Sequence, residues 1–224
     1  MSGRNLQSVK VPQATCDLTS LATVFVVDDD SSVRRGLARL LKIAGYQVEV
    51  FASGTEFLAS GRYHQSPACL VLDVRLPGLN GMDLQARLAE LQSTLAIVFI
   101  TGHADVPMSV RAMKGGAVDF LPKPFDDTQL LESVAGAVSK NVRDQRQQTE
   151  LGSIQERYAT LTPREREVMA LIVTGKLNKQ VAADLGTGEK TIKVHRARVL
   201  EKMQVHSLAE LVPLAEKLGL LGPG

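Results

Sequence analysis

Acidic, hydroxyl and ammonium side chains stand at four separate points of the sequence, and each point directly follows a short apolar run. They are Asp28 with Asp29, then Asp73, Thr101 and Lys123. Carboxylates that lie together cannot all be ionised comfortably without a cation. Mg²⁺ is a hard ion that takes oxygen ligands and keeps places for water and phosphate. These residue types therefore indicate a site for a hard divalent cation, provided that the fold brings them together.

Asp73 is the residue on which this interpretation depends. It ends the apolar run 69–72 and is followed by a turn rich in Pro, Gly and Asn. A short apolar run bounded by a turn predicts a strand buried on both faces, as in a parallel sheet. Taken alone, the aspartate could equally cap the turn or helix that follows. Polar residues at four strand ends favour a functional role, because the crevice of an open α/β sheet lies at those ends.

Strands and helices alternate over about 120 residues, which predicts a doubly wound parallel sheet. The predicted strands are 23–27, 47–51, 69–73, 95–100 and 119–121, and the predicted helices are 31–44, 53–60, 82–91, 106–114 and 126–140. Ser31 or Ser32 is the predicted N-cap of the first helix. Crossovers in such sheets are right-handed, so the carboxyl ends of the strands gather at one edge.

Composition narrows the possible classes of protein. The 224 residues suffice for two ordinary domains. No apolar run approaches the roughly 18 residues that span a bilayer, and no signal pattern opens the chain, so we expect a cytoplasmic protein without a membrane segment. The distant cysteines Cys16 and Cys69 do not support a disulfide framework. The histidines share no metal-ligand spacing, so no zinc site is predicted. They are His64, His103, His195 and His206.

Charge is unevenly distributed along the chain. Residues 21–141 contain 11 Lys and Arg against 13 Asp and Glu, whereas residues 161–224 contain 10 against 7. An acidic half joined to a basic half indicates two tasks, the second with nucleic acid as partner. We predict a disordered lead-in at 1–20, an α/β domain at 21–141, a linker at 142–160 and a helical domain at 161–224. The polar linker is either an extension of the preceding helix or a flexible joint.

The helical domain opens with strong start signals. Thr162 as N-cap, Pro163 in the first turn and Glu165 predict a capping box, and Gly175 ends the helix. Helices at about 178–185 and 189–203 follow, joined by a tight Gly-Thr-Gly turn, and this arrangement indicates a helix-turn-helix. A fourth helix is predicted at about 207–218, so the domain has four helices.

The 189–203 helix is rich in basic residues. They are Lys190, Lys193, Arg196, Arg198 and Lys202, with His195 among them. A solvated basic face is the usual explanation of such a run. The turn, the preceding helix and the positive charge of the domain favour DNA binding instead.

Four motifs occur in the α/β domain in a fixed order. They are Val27-Asp28-Asp29, Leu72-Asp73-Val74-Arg75-Leu76-Pro77-Gly78, Thr101-Gly102-His103 and Lys123-Pro124-Phe125. With them the domain resembles the receiver domain of two-component response regulators, which implies a five-stranded flavodoxin-like fold. The segments 101–107 and 116–120 are similar to the FixJ branch in particular.

This resemblance implies roles for the polar residues. Asp73 is the implied phosphoacceptor, which attacks phosphorus and becomes an acyl phosphate, while Lys123 and Thr101 contact the phosphoryl group. Mg²⁺ is the implied cofactor. The implied ligands are Asp29 and Asp73 directly, Asp28 through water, and the backbone carbonyl of Arg75. The family carries the peptide bond between Lys123 and Pro124 in the cis form. A solvated surface lysine is the alternative for Lys123.

The resemblance also implies a conformational switch. On phosphorylation Thr101 moves toward the phosphoryl group and Phe120, at the aromatic switch position, turns into the vacated space. The face formed by the fourth helix, fifth strand and fifth helix then becomes competent to dimerise. The alternative for Phe120 is an ordinary core residue. Because Phe lacks a hydroxyl, a switch at this position depends on packing alone.

The helical domain resembles the LuxR/GerE-type DNA-binding domain. The resemblance is carried by the whole segment from 161–168 through 191–196, and it implies that the 189–203 helix enters the major groove. The residues implied to face base edges are Lys193, Val194 and Ala197; those implied to contact phosphates are Lys190, Thr191, His195, Arg196 and Arg198. The family usually has an apolar residue and then Ser or Pro where this chain has Thr187 and Gly188, which weakens the turn and the helix cap.

Together the two resemblances imply a response regulator and not an enzyme. A sensor histidine kinase phosphorylates Asp73, the receivers dimerise, and the paired domains bind a two-fold DNA site to regulate transcription. RNA polymerase is a further candidate partner. One alternative is a phosphatase or phosphotransfer enzyme, which would need a second nucleophile or acid–base group near Asp73, and none is evident. Another is a phosphorylation-independent DNA-binding regulator whose receiver is only a dimerisation module.

Overall fold

The computed structural model describes residues 21–102 and 105–221. The chain divides into two compact units, which meet in sequence between Gln145 and Arg146. We call them the first unit and the second unit. The predicted lead-in at 1–20, with Cys16, and also His103 lie outside the described residues.

A parallel sheet forms the centre of the first unit. Its strands are β1 (Thr23–Val27), β2 (Gln47–Phe51), β3 (Ala68–Asp73), β4 (Ala96–Thr101) and β5 (Asp119–Pro122). They lie in the order β2-β1-β3-β4-β5, and every neighbouring pair is parallel. All residues of β1, β3 and β4 are buried, which is why these strands are continuous apolar runs in the sequence. The predicted doubly wound fold is confirmed.

Helices cover both faces of the sheet because side chains of each strand alternate between the faces. The helices are α1 (Ser31–Ile43), α2 (Gly54–Ala59), α3 (Gly81–Glu90), α4 (Val106–Lys114) and the start of α5 (Asp127–Ala159), with a 3₁₀ turn at Arg62–His64. Val24 and Val26 of β1 pack with α1 and α5. Phe25 and Val27 pack with α2, α3 and α4 on the opposite face.

The N-cap of α1 differs from the sequence prediction. We predicted Ser31 or Ser32, but the N-cap is Asp30, whose carboxylate accepts a hydrogen bond from the Ser32 N–H at 2.7 Å. An aspartate one residue earlier suits this place better, because its negative charge also interacts favourably with the positive end of the helix dipole.

The segment predicted as a linker is helical. α5 runs without interruption through residues 142–159, so the structure has the helical form of the two that the sequence left open. Its later part is not merely a connection, because Ile154 is fully buried in the hydrophobic core of the second unit.

Four further helices complete the second unit. They are α6 (Pro163–Ile172), α7 (Asn178–Asp184), α8 (Glu189–Lys202) and α9 (Leu208–Lys217). The predicted capping box is confirmed, since the Glu165 N–H donates to the Thr162 hydroxyl and the Glu165 carboxylate accepts from the Thr162 N–H. Gly186 ends α7 with φ 61°, in the left-handed region that favours glycine. Gly188 is the N-cap of α8, and a glycine has no side chain with which to cap it.

None of the helices within the described ranges combines the length and the apolar character needed to cross a membrane.

Candidate functional site

Three aspartates converge at the carboxyl edge of the sheet. Asp28 follows β1 directly and Asp73 is the last residue of β3, and these two strands are neighbours with Val27 opposite Leu72. Carboxylate oxygens of Asp28, Asp29 and Asp73 all lie within 4.8 Å of one another. Asp28 and Asp73 are buried, whereas Asp29 is exposed. The strand order thus brings together residues that are 45 positions apart in the sequence.

Lys123 completes this cluster. It follows β5, and its N–H donates to the Thr101 carbonyl oxygen at 2.7 Å, while its peptide bond to Pro124 is cis. The Lys123 Nζ donates to Asp28 Oδ2 at 2.7 Å and to Asp73 Oδ2 at 2.9 Å. Burial lowers the pKa of the Lys123 ammonium, but the two carboxylates outweigh burial and raise it above its ordinary value. Lys123 is therefore a fixed positive charge at neutral pH.

The loop that carries Asp28 is held from two sides. The Asp30 N–H donates to Asp28 Oδ1 at 2.8 Å, and the Arg34 guanidinium of α1 donates to the backbone oxygen of Asp28 at 2.6 Å. Burial raises the pKa of the Asp28 carboxyl, against the opposing effect of the hydrogen bond from Lys123. A buried carboxylate in this position gains from any additional cation.

Asp73 is positioned by the backbone that follows it. Its Oδ1 accepts a hydrogen bond from the Arg75 N–H at 3.0 Å, and the Gly81 N–H at the start of α3 donates to the Val74 carbonyl at 2.9 Å. A Cβ atom at Gly81 would collide with the backbone carbonyl oxygen of Asp73. The start of α3 can therefore approach the aspartate this closely only because residue 81 is glycine.

The donor set fits a hard divalent cation. All three side chains offer carboxylate oxygens, which Mg²⁺ and similar ions prefer to nitrogen or sulfur. Lys123 supplies a single positive charge to this group. Asp29 is exposed, so the cluster is accessible to solvent through this residue.

Thr101 and Phe120 lie on the neighbouring strands β4 and β5. Thr101 ends β4 and is 1% exposed. Phe120 is half-buried and lies opposite Phe99 in the register of β4 and β5, with the two ring centroids 6.2 Å apart. The sequence-predicted switch pair is thus placed on the strands that adjoin the aspartate cluster and Lys123.

α8 presents most of its predicted DNA-contact residues on an exposed surface. The exposed members are Lys190, Thr191, Lys193, Val194, Ala197 and Arg198. Their spacing of three and four residues places them on one side of the helix. His195 and Arg196 are half-buried instead: the Arg196 guanidinium donates to Asn178 Oδ1 at 3.4 Å, and the buried Nδ1 of His195 has no hydrogen-bond partner among the described residues.

Lys202 does not belong to this exposed basic surface, although the sequence placed it there. Its Nζ donates to Glu165 Oε2 at 2.6 Å and to the Thr160 carbonyl at 3.1 Å. Glu165 is 2% exposed, and the hydrogen bond from Lys202 holds the pKa of its carboxyl below the ordinary value. The two residues are 37 positions apart, so no local pattern could have paired them.

The fold and the two sites define a class of protein. A carboxylate cluster at the edge of a doubly wound sheet, in a chain that also carries a helix-turn-helix with an exposed basic helix, is typical of a response regulator with a DNA-binding output domain. Comparison with known families agrees. The response regulator receiver domain matches residues 24–135, and the luxR family of bacterial regulatory proteins matches residues 159–215. The chain belongs to the two-component response regulators that carry a luxR-type DNA-binding domain.

Individual relatives match nearly the whole chain. Nodulation protein W of Bradyrhizobium diazoefficiens is 48% identical over 204 residues, which are 91% of this chain and 89% of the relative. The structure of the response regulator StyR matches this chain with a TM-score of 0.75 at 46% identity. The match covers 88% of this chain and 98% of the StyR chain. The structure of full-length FixJ from B. japonicum matches with a TM-score of 0.53 at 41% identity. This match covers 89% of this chain and 98% of the FixJ chain. The predicted similarity to FixJ is confirmed, and the chain functions in two-component regulation of transcription.

Proposed function

We propose that a sensor histidine kinase phosphorylates Asp73, and that phosphorylation promotes dimerisation and binding to a two-fold DNA site. The observation that carries this proposal is the convergence of Asp28, Asp29 and Asp73 with the Lys123 ammonium at one edge of the sheet. Three carboxylates around one ammonium leave an excess of negative charge, which favours a divalent cation, and the cation in turn favours a phosphoryl group. The domain boundaries at 21–141, 142–160 and 161–224 are part of this proposal.

The transfer step follows from the position of the Asp73 carboxylate. One carboxylate oxygen attacks the phosphorus of a phosphohistidine; the new P–O bond forms as the P–N bond breaks, and the electron pair of that bond remains on the imidazole nitrogen. For the attack, Asp73 Oδ2 must release its hydrogen bond from Lys123. The ammonium then lies within reach of the phosphoryl oxygens, and the Thr101 hydroxyl is the second donor that we assign to them.

The proposed cofactor is Mg²⁺. Asp29 and Asp73 would hold it directly, Asp28 through water, and the backbone carbonyl of Arg75 would complete the protein ligands. When bound, the ion supplies neutralisation of the charge on the phosphoryl oxygens. The buried carboxyl of Asp28, with its raised pKa, supports this assignment, because a nearby cation removes the cost of its ionisation.

The exposed side of α4 supports dimerisation as the output of the first unit. Val106, Val110 and Met113 recur at intervals of four and three residues, so they form one apolar stripe on the helix, and they are 74%, 44% and 47% exposed. Contiguous exposed apolar side chains are typical of interaction surfaces. We propose that the repacking of Thr101 and Phe120 aligns this surface for a second copy of the chain.

The exposed side of α8 supports DNA as the partner of the second unit. We propose that Lys193, Val194 and Ala197 face base edges in the major groove. The proposed phosphate contacts are Lys190, Thr191, Arg198, His195 and Arg196, of which the last two are the half-buried ones. Two domains related by a dimer axis would bind half-sites about one helical turn apart. We further propose a cytoplasmic regulator without enzymatic turnover, with RNA polymerase as a candidate partner.

Light scattering and DNA binding, each with and without Mg²⁺ and beryllofluoride, test this proposal. Beryllofluoride mimics a phosphoryl group on an aspartate, so the wild-type chain should dimerise and bind DNA more tightly, whereas Asp73→Asn should do neither. Asp30→Asn is the matched control, because Asp30 caps α1 outside the ligand set and asparagine is an equally good cap. A wild-type chain that is already dimeric and binds DNA equally well without the mimic would identify the receiver as only a dimerisation module.

A further inference from the structure

A buried glutamine on α3 is hydrogen-bonded to the backbone of α4. Gln85 is 5% exposed, and its Nε2 donates to the carbonyl oxygen of Ala112 at 3.0 Å in a buried hydrogen bond. The same carbonyl accepts from the Ala117 N–H at 3.2 Å, in the turn that closes the helix. The Ala112 carbonyl therefore connects the last turn of α4 both to the turn that follows it and to Gln85 of α3.

Gly115 provides the space that the glutamine occupies. A Cβ atom at this position would lie 2.5 Å from Gln85 Oε1, 2.7 Å from its Cδ and 2.9 Å from its Nε2. Real Cβ atoms do not approach other atoms so closely, so an alanine at 115 would force the carboxamide away from Ala112. The glycine after α4 and the glutamine of α3 are thus complementary in shape.

The burial of α4 is concentrated at the end that Gln85 holds. Of the nine residues of α4, all of them described, Ala112 is the one that is buried. At the other end Val106 is 74% exposed and the helix is capped by its own neighbour Asp105, whose carboxylate accepts from the Met108 N–H. A short helix with so few buried contacts is held weakly except where a specific bond fixes it.

We propose that Gln85 is a positioning residue of the switch, which fixes the carboxyl-terminal end of α4 so that the helix can move only at its amino-terminal end. The amino-terminal end is the one that follows β4 and Thr101 in the sequence. The proposal rests on the proposed function, because it concerns the route by which a change at Thr101 reaches the apolar stripe of Val106, Val110 and Met113. In this proposal Val106 and Val110 belong to the moving part of the apolar stripe, whereas Met113 lies in the fixed part.

Hydrogen exchange of the full-length chain, measured with and without Mg²⁺ and beryllofluoride, tests the proposal. In the wild type the mimic should change exchange in residues 105–111 and leave 113–117 unchanged. In Gln85→Leu, which keeps the size but loses the donor, exchange at 113–117 should be about tenfold faster without the mimic, as expected for one lost hydrogen bond. With the mimic, the change should now extend through 113–117.

Two further variants separate the hydrogen bond from simple loss of packing. Gly115→Ala should reproduce the exchange of Gln85→Leu, because the added methyl displaces the carboxamide. The double variant Gln85→Ala with Gly115→Ala fills the space again without a donor, so it should recover thermal stability relative to Gly115→Ala but keep the fast exchange at 113–117. Gln129→Leu, an exposed glutamine on α5, controls for the substitution itself.

Wild-type exchange at 113–117 in the Gln85→Leu variant, or a mimic response that already spans all of α4 in the wild type, would overturn the proposal. Failure of the proposed function has a different signature, namely that the mimic changes neither the oligomeric state nor any exchange rate in the wild type. In that event the exchange of 113–117 without the mimic decides alone whether Gln85 fixes this end of the helix.

Discussion

Each unit contains a lysine that hydrogen-bonds a buried carboxylate, and the two sites have nearly the same local geometry. In the first unit the Lys123 Nζ lies 2.7 and 2.9 Å from Asp28 and Asp73; in the second the Lys202 Nζ lies 2.6 Å from Glu165. The lysine side chains are 23% and 33% exposed. The distances and the burial of the ion pairs therefore do not distinguish the two sites.

The charge balance around each lysine does distinguish them. Three carboxylates converge on the first site, and one of them, Asp29, is open to solvent. In the second site, among the described residues, one carboxylate faces one ammonium, and the same Glu165 oxygen also accepts from the Thr162 N–H. An excess of carboxylates with an exposed member invites a further ligand, whereas one carboxylate balanced by one ammonium holds helices together.

The largest expected effect is the loss of stability when the Lys202 ammonium is removed from its pair with Glu165. Lys202→Met leaves Glu165 ionised, buried and without its ammonium, so we expect the second unit to lose about 2–3 kcal/mol of unfolding free energy, in the range of a charged hydrogen bond. Hydrogen exchange of the buried amides of α6 and α8 in the full-length chain measures this loss.

The matched control is Lys202→Met combined with Glu165→Gln, since glutamine keeps the capping box without the charge. The double variant should be more stable than Lys202→Met alone. Equal losses in both variants would show that the lysine acts through its packing and not through its charge.

Replacement of the lysine in the aspartate cluster by methionine should instead strengthen the binding of Mg²⁺. Lys123→Met removes the ammonium that competes for Asp28 and Asp73, so Mg²⁺ affinity should rise about tenfold, equivalent to about 1.4 kcal/mol. Titration calorimetry of Mg²⁺ into wild type and variant measures this difference. Unchanged or weaker affinity in Lys123→Met would mean that the ammonium and the metal ion do not share these oxygens.

The two sites should also respond to acid with opposite signs. The pKa of Glu165 is lowered in the folded chain, so its contribution to stability is complete above its ordinary value of 4.5 and is lost as the pH falls through the lowered pKa. The pKa of Asp28 is raised by burial, so without a metal ion its protonation in acid favours the folded first unit.

Denaturation of the full-length chain between pH 6 and pH 3 in a chelator tests this contrast. Glu165→Gln should flatten the loss of stability of the second unit below pH 4.5. Asp28→Asn should remove the gain in stability that the folded first unit obtains as Asp28 is protonated in acid. Curves for Glu165→Gln parallel to those of the wild type would contradict the assignment of this acid sensitivity to Glu165.

The smallest expected effect concerns the helix starts of the two units. α1 is capped by the Asp30 carboxylate, whereas the N-cap of α8 is Gly188, which has no side chain. Gly188 has φ −82°, and a Cβ there would meet nothing nearer than Thr191 Oγ1 at 4.0 Å, so Gly188→Ser should stabilise the second unit by a few tenths of a kcal/mol, to be measured as a rise in its melting temperature. Gly186→Ser is the contrasting control and should destabilise, since Gly186 has φ 61°.

The sheet and the acidic edge could be predicted because they depend on local patterns. The apolar run 23–27 is β1, and strand order then places Asp28 beside Asp73 without further information. The capping box of Thr162 and Glu165 is likewise a signal within four residues. Each of these features depends on a few neighbouring residues in the sequence, or follows from the rule that the carboxyl ends of parallel strands lie at one edge of the sheet.

The contacts that escaped prediction join distant positions or depend on how a side chain turns. Lys202 lies among the basic residues of α8, and lysine is a common DNA-binding residue. Its ammonium instead donates a hydrogen bond to the Glu165 carboxylate. Ile154 lies in a polar stretch that resembles a linker, yet it is fully buried in the second core. Gln85 is indistinguishable in sequence from a surface glutamine of an amphipathic helix, and only the packing of α3 on α4 reveals its bond.

Gly81 limits how the acidic edge can tolerate substitution. Every substitution of a glycine introduces a Cβ atom, and at this position the Cβ meets the backbone of Asp73 and not a movable side chain. A neighbouring mutation cannot relieve the collision, because the backbone oxygen is present whatever residue occupies position 73. Residue 81 is therefore confined to glycine by the backbone itself, unlike a side-chain contact, which a second substitution can restore.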